Sequence, residues 1–308
     1  MTVTDIGIVG VGKIARDQHV PAISGNTSFR LAATVSAHSG LDGIENFPTL
    51  DQLLAARPNI AALALCMPPQ ARYEAAAKAI AAGRHVLLEK PPGATIAEVE
   101  ALVRMAEARN VALFATWHSR FAGAVEPARL WLRDKTVRHV SVIWKEDVRR
   151  WHPGQAWIWQ PGGLGVFDPG INALSIVTRI LPAPFHLIAS TLEFPDGREA
   201  PIAAKLRFAG KGGFAVEADF DWRQTGPQTW DIEVETDAGT LLLRSGGAEM
   251  FIDGREVQQW GDVEYSGIYR RFAELIATRS IDADLSPLTH VADAFMLGRR
   301  VTGEAFEE

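Results

Sequence analysis

One cysteine, Cys66, stands in a chain of 308 residues, so no intramolecular disulfide can form. No uncharged apolar run reaches the roughly 18–20 residues of a membrane span. No lysine- and arginine-rich tract exists to neutralise phosphates along a nucleic-acid groove, and the formal charge of −6 points the same way. The opening Met1-Thr2-Val3-Thr4-Asp5 lacks the basic-then-apolar pattern of a secretory leader. There is no internal repeat and no low-complexity tract. These absences exclude a disulfide framework, a membrane-spanning protein and a general nucleic-acid binder. They leave, as the expectation, a cytoplasmic protein whose ligands are small. With 47% hydrophobic residues the chain can bury a substantial core, and its length suits two ordinary domains.

Short apolar runs alternate with helical patterns as far as residue 117. Strands are expected over 5–10, 30–36, 60–66, 85–89 and 111–115, with helices near 13–23, 49–56, 70–83 and 95–109. Ala61-Ala62-Leu63-Ala64-Leu65-Cys66 and Val86-Leu87-Leu88 are apolar on both faces, as strands covered by helices must be, which points to a doubly wound parallel sheet. Cys66 is expected in the core. Past 118 longer alternating runs, at 137–148, 187–194, 202–209, 214–222, 230–236, 240–244 and 248–252, are separated by Gly, Pro and Asp turns and suit an open, mainly antiparallel sheet. Helices are expected near 121–132, 166–181, 267–278 and 288–302. The fold class is therefore α/β: a nucleotide-binding doubly wound domain over 1–117 and a substrate-binding and oligomerisation domain over 118–308. The domain division leaves room for a C-terminal helix to pack back on the first domain.

Two motifs in the first domain carry chemistry. Ile6-Gly7-Ile8-Val9 leads into Gly10-Val11-Gly12-Lys13-Ile14-Ala15, the strand, glycine turn and helix order of a dinucleotide site. Gly10 permits the tight turn, Gly12 lets a pyrophosphate approach the backbone, and Ala15 takes the place of the third glycine where helix meets strand. The first amides of the helix then face the phosphates. The bland alternative is an ordinary strand-to-helix turn. Glu89-Lys90-Pro91-Pro92 closes the run His85-Val86-Leu87-Leu88, and each proline disfavours the α region for its predecessor, so a lysine is held where a parallel sheet delivers side chains to a ligand.

An NAD site of this type places an acidic residue about 20 positions beyond the glycines to bind the adenosine ribose. Here the segment reads Val35-Ser36-Ala37-His38-Ser39. Hydroxyls and an imidazole would meet a 2′-phosphate with donors instead of a repelling carboxylate, which favours NADP while leaving NAD possible. The alternative makes Ser36 and Ser39 plain turn residues.

In the second domain Gly162-Gly163-Leu164-Gly165 runs into a helical pattern containing Asp168 and Asn172, four apart and so on one face. Pro169 suits a helix start, and Asp168 is either a helix cap or a base. A carboxylate base with a neighbouring ammonium, such as that of Lys90, is what removal of hydride from a carbinol carbon requires. Before this helix stand Trp144-Lys145-Glu146-Asp147-Val148-Arg149-Arg150-Trp151-His152-Pro153, then Trp157 and Trp159. Sugars need both kinds of group, indole faces for C–H patches and polar side chains for hydroxyls. For any single tryptophan the alternative is a core position. His152 has no second His or Cys at ligand spacing, so no metal is expected.

Gly10 through Ala15, Glu89-Lys90-Pro91 and the Asp168 helix together resemble the Gfo/Idh/MocA oxidoreductase family over essentially the whole chain. Gly12 through His19, Trp144 through Pro153 and Gly162 through Asn172 look most like its bacterial L-arabinose/D-galactose 1-dehydrogenase branch. The resemblance implies a Rossmann domain and oxidation of an aldose at C1 to a lactone with NAD(P). It places Gly10, Gly12, Lys13, Ile14, Glu89 and Lys90 at the cofactor, with Ser36 and His38 near the 2′-phosphate. Lys90 would also touch substrate, with Asp168 as acid/base. His152 and Asn172 would hold sugar hydroxyls, and Glu146, Trp151 and Trp230 would line the pocket. It further implies a homo-oligomer, dimer or tetramer. One departure is Asn172, where many inositol dehydrogenase-like members carry His; asparagine cannot titrate, so proton removal falls on Asp168, with His152 as a relay. The alternatives are oxidation or reduction at another ring carbon and, in a different class, a non-catalytic nucleotide-binding regulator. Retention of Lys90 and Asp168 together speaks against the last.

Overall fold

The computed structural model describes residues 3–307; Met1 and Thr2, which open the segment read above as carrying no leader, lie outside the described residues. The chain forms two compact units. One takes the chain up to His118 together with Tyr265–Asp284, and the other takes Ser119–Glu264 and the chain from Leu285 onward.

The first unit is built on a seven-stranded, wholly parallel sheet. Its strands are β1 (Thr4–Val9), β2 (Phe29–Val35), β3 (Asn46–Phe47), β4 (Ala62–Leu65), β5 (His85–Leu88), β6 (Leu113–Ala115) and a short strand Ile281–Asp282. They run in the order Ile281–Asp282, β6, β5, β4, β1, β2, β3. All four residues of β4 are fully buried, which is why they read as a continuous apolar run. A π turn at Ala15–His19 leads into α1 (Val20–Ser24); α2 (Leu50–Ala56), α3 (Arg72–Ala81) and α4 (Ile96–Arg109) complete the crossovers. The start of α4 is set by a capping box between Thr95 and Glu98, and its end by Asn110 in the left-handed region at φ 52°. The late segment joins this unit because the helix Glu264–Thr278 buries one stripe, Tyr265, Ile268, Tyr269, Phe272 and Leu275.

In the second unit a nine-stranded sheet comprises β7 (Val137–Lys145), β8 (Phe185–Phe194), β9 (Ala203–Gly210), β10 (Ala215–Asp221), β11 (Thr229–Thr236), β12 (Gly239–Arg244), β13 (Glu249–Ile252), β14 (Arg255–Gln259) and the strand Arg299–Thr302. The order is β14-β13-β12-β11-β7-β10-β9-β8, with Arg299–Thr302 at the far edge. Pairing is antiparallel except between β7 and β10 and between β8 and Arg299–Thr302. The helices are α5 (Val125–Leu132), α6 (Val148–Trp151), α7 (Phe167–Ile180) and Ser286–Leu297. The expected helix over 288–302 is thus corrected: it ends at Leu297, and Arg299–Thr302 is an exposed edge strand. Close approach of α7 to the sheet depends on Gly170, where a Cβ would lie 2.7 Å from the Phe220 ring in β10. No helix among the described residues is long and apolar enough to cross a membrane.

Candidate functional site

The first unit gathers its chemistry at the carboxyl ends of β1, β2, β4 and β5, where open parallel sheets bind ligands. Gly10 adopts φ +91°, and a Cβ there would fall 2.8 Å from the backbone nitrogen of Met67, so the turn accepts no side chain. Gly12 is exposed and a Cβ on it would meet nothing within 4 Å, which leaves open approach to the backbone at the position assigned to the pyrophosphate. Ala15 is fully buried, as the helix contact demands. Lys13 and Ile14 lie at the start of the helix, and the Lys13 ammonium pairs with Asp17. These residues fit a dinucleotide.

After β2, Ser36 Oγ accepts from the amides of His38 and Ser39, both at 3.3 Å, so the hydroxyl does serve a turn. The exposed His38 ring has no hydrogen-bond partner among the described residues. Arg16, which the sequence reading passed over, reaches the same loop: its Nη2 donates to Ser39 Oγ at 3.1 Å and to the Gly40 carbonyl at 2.9 Å. Asn46 Nδ2 donates to the Ser36 carbonyl at 3.0 Å from the other side. Cys66 is half-buried at the end of β4 instead of being core.

Lys90 is half-buried, and its neighbours are held from beneath. Glu89 is 2% exposed. Its Oε2 accepts from the Lys90 amide at 2.7 Å, and its Oε1 accepts from Tyr265 Oη at 2.8 Å and faces His19 Nε2 at 3.0 Å. The other ring nitrogen of His19 lies 2.7 Å from Tyr269 Oη. Buried Arg72 donates to the carbonyls of Met67, Glu89 and Pro91. Glu89, expected among the cofactor contacts, therefore turns its carboxylate into the core; its part is beneath the lysine. His19, Arg72, Tyr265 and Tyr269 were missed. The available signal was the pair Tyr265 and Tyr269, two of the three tyrosines in the chain, spaced to share one helix face.

Burial opposes charge on His19, but Cys66 and Tyr269 nearby and the hydrogen-bonded Glu89 outweigh it and hold the imidazole well above the usual histidine value. Burial likewise opposes charge on Glu89, yet the hydrogen bond and charge of His19, with His118 and Tyr265, bring it down to about 2. The lowered carboxylate stabilises the fold fully above its unfolded value of 4.5 and loses this as pH falls toward about 2. The raised imidazole stabilises fully below 6.5 and loses this as pH rises through its folded value. Urea unfolding should therefore be most resistant between these two reference values. A Glu89→Gln variant should show a flatter profile on both sides; an unchanged profile in that variant would contradict the pairing.

In the second unit, β7 and β10 run parallel with Trp144 beside Phe220, so their next residues emerge at one end of the sheet. Trp230 of β11 is registered against Trp144 at that same end. Glu146 is 4% exposed; its Oε1 accepts from Trp222 Nε1 at 3.2 Å and its Oε2 from Trp230 Nε1 at 2.9 Å. Trp230 stacks on Trp144 with centroids 5.6 Å apart and meets Trp151, tilted, at 5.6 Å. Trp144, Trp159 and Trp222 are buried, whereas Trp151, Trp157 and Trp230 keep partly open surfaces.

Asp168 is the second residue of α7. Val166 occupies the cap position and no side chain caps the helix, so the capping alternative fails. The Asp168 carboxylate, 4% exposed, lies 3.2 Å from His152 Nε2, and His152 Nδ1 lies 3.4 Å from Gln155 Oε1. The His152 ring tilts against Trp222 at 5.3 Å. A continuous set thus runs Asp168, His152, Trp222, Glu146, Trp230, Trp151. His152, expected on sugar hydroxyls, is engaged first with Asp168. Asn172, half-buried, follows one turn along the same helix face, and its side chain has no hydrogen-bond partner among the described residues.

A glycine-turn cradle at the mouth of a doubly wound parallel sheet, with a lysine held at the neighbouring strand end, marks the first unit as that of a dinucleotide-linked oxidoreductase. Residues 4–116 match the family model described as "Oxidoreductase family, NAD-binding Rossmann fold". Across 98% of its own length and 98% of the relative's, the chain is 44% identical to galactose 1-dehydrogenase of Pseudomonas fluorescens. A crystal structure of D-galactose-1-dehydrogenase from Rhizobium etli superposes with a TM-score of 0.96 at 56% identity, covering 100% of this chain and 99% of that one. A 3-ketoreductase from Actinomadura kijaniata, solved with NADP and TDP-benzene, shares the fold at 17% identity with a TM-score of 0.84, over 98% of this chain and 100% of that one. The chain belongs to the Gfo/Idh/MocA family of NAD(P)-binding oxidoreductases.

Proposed function

We propose that this chain oxidises an aldopyranose, D-galactose, L-arabinose or a sugar of that ring pattern, at C1 to the lactone, in the cytoplasm and with NADP preferred to NAD. The observation that carries the reading is the nearly buried Asp168–His152 pair set beside half-open tryptophans. A bound nicotinamide supplies the hydride acceptor. Asp168 accepts the C1 hydroxyl proton, with His152 orienting its carboxylate and stabilising its charge. The Lys90 ammonium favours the developing alkoxide. Trp151 and Trp230 offer apolar faces to ring C–H groups, while Asn172 and the Trp151 indole N–H, which is buried with no partner among the described residues, are donors that sugar hydroxyls would satisfy. Glu146 fixes the Trp222 and Trp230 indoles instead of reading the sugar from an open position.

NADP preference is supported by the loop after β2. Its first part, Ser36 to Gly40, carries no carboxylate to repel a 2′-phosphate, and the His38 imidazole and the Arg16 guanidinium, which reaches Ser39 and Gly40 from the first helix, join the Ser36 hydroxyl there. The test is a spectrophotometric screen of aldoses and inositols with NADP and NAD, followed by product analysis. We expect reduced nicotinamide with D-galactose or L-arabinose, a higher kcat/KM with NADP, and a lactone that opens to an aldonic acid. A keto sugar as product would move the reaction to another ring carbon, and a higher kcat/KM with NAD would remove the cofactor argument. Self-association, expected from the resemblance, would use a sheet surface laced with ion pairs such as Lys145–Asp219 at 2.6 Å, with Ile143 and Ile188 as exposed apolar residues.

A further inference from the structure

Five buried polar side chains gather beneath the main chain around Lys90, and two of them bind it directly. Glu89 takes the Lys90 amide on one carboxylate oxygen and the Tyr265 hydroxyl and His19 imidazole on the other. Arg72 binds the carbonyls of Glu89 and Pro91, on either side of the lysine. Tyr269 closes the set from behind His19. His19 and Tyr269 are fully buried, Arg72 and Glu89 are 2% exposed, and Tyr265 is 5% exposed.

Such an assembly is a poor means of stabilising a core. Buried ion pairs gain little over well-packed apolar groups of the same volume, because each charge must first lose its water. What the set does specify is geometry. The carboxylate plane is fixed by two donors on one oxygen, and it dictates where the Lys90 amide points; the carbonyl ties hold the main chain on either side, at Glu89 and Pro91. The rings add to this, since His19 meets Tyr265 edge-on at 5.1 Å and Tyr269 edge-on at 5.8 Å.

We propose that Tyr265 and His19, acting through the Glu89 carboxylate, are positioning residues that hold the main chain of Lys90 and so aim its ammonium. The inference rests on the reading of Lys90 as a catalytic group. Tyr265→Phe keeps the ring and its packing but removes the donor to Glu89. It should lower kcat about tenfold, the scale on which coupled neighbours act, while the NADPH dissociation constant from fluorescence titration stays within about twofold. In a Lys90→Ala background the same change should alter residual kcat by less than about twofold, because the group it aims is gone. His19→Gln serves as the second variant and should follow the same pattern. An equal loss in both backgrounds, or a fall in melting temperature with kcat unchanged, would overturn the positioning role. Near wild-type turnover in Lys90→Ala itself would overturn the reading of Lys90 and this inference together. A strongly impaired Lys90→Ala whose residual kcat falls additively with Tyr265→Phe sinks the inference alone.

Discussion

Lys90→Ala should reduce kcat by about 10²- to 10³-fold, the loss seen when one preorganised electrostatic donor is removed from a reacting oxygen. The KM for sugar should also rise, since the ammonium is assigned to the ground-state hydroxyl as well as to the alkoxide. Stability should change little. The polar ties beneath the lysine use its backbone and those of its neighbours, and the side chain itself is half-buried. Lys90→Arg should not restore turnover: a guanidinium is larger, planar and differently hydrated, and here its reach would be imposed on a fixed main chain. Steady-state kinetics beside thermal unfolding of the same preparations decides the matter. A variant that loses melting temperature but keeps kcat would make Lys90 a structural residue.

The parts of the fold that were legible are those in which burial writes a period into the sequence. β4 and β5 are buried on both faces and read as unbroken apolar runs; β7, β9 and β10 have one buried face and read as alternation. The parts that were not legible have no burial contrast to display. β14 and the strand Arg299–Thr302 are exposed at every position, and both are sheet edges. β3 and Ile281–Asp282 are two residues each, too short for any period. The helix Glu264–Thr278 was expected, with a later start, but its place in the first unit depends on which apolar stripe it meets. No local pattern carries that information.

The candidate site divides in the same way. Gly10, Gly12, Lys90 and Asp168 could be singled out because each sits in a local context with its own chemistry: a turn that needs positive φ, a lysine between a strand and prolines, an acid at a helix start. His19, Arg72, Tyr265 and Tyr269 are drawn from three separate segments and acquire meaning only when the fold brings them to Glu89. Glu146 shows the converse. Its residue type suggested a reader of hydroxyls, whereas its two oxygens accept from Trp222 and Trp230, a partnership set by strand register. Charge on a residue is visible in sequence; the partner that spends that charge is not.

A merely structural first-turn role for Asp168 and the catalytic one make opposite forecasts for Asp168→Asn. Asparagine has nearly the same shape and is itself tolerated at helix starts, so a first-turn role would be largely preserved. Loss of the negative charge near the helix N-terminus should then cost no more than about 1 kcal/mol. As a base, however, asparagine is useless, because its amide does not accept a proton in this pH range. The expected result is a fall in kcat of about 10²-fold or more with the NADPH dissociation constant nearly unchanged, the scale for removing a general base. The partner should respond as well. His152 Nε2 lies 3.2 Å from the carboxylate, so replacing the anion with a neutral amide withdraws the charge that favours the imidazolium, and the histidine should titrate lower in the variant. NMR titration of the His152 ring in wild type and Asp168→Asn reads that shift without turnover. Undiminished kcat would return Asp168 to a structural role, and a large loss of stability with kcat per folded molecule intact would do the same.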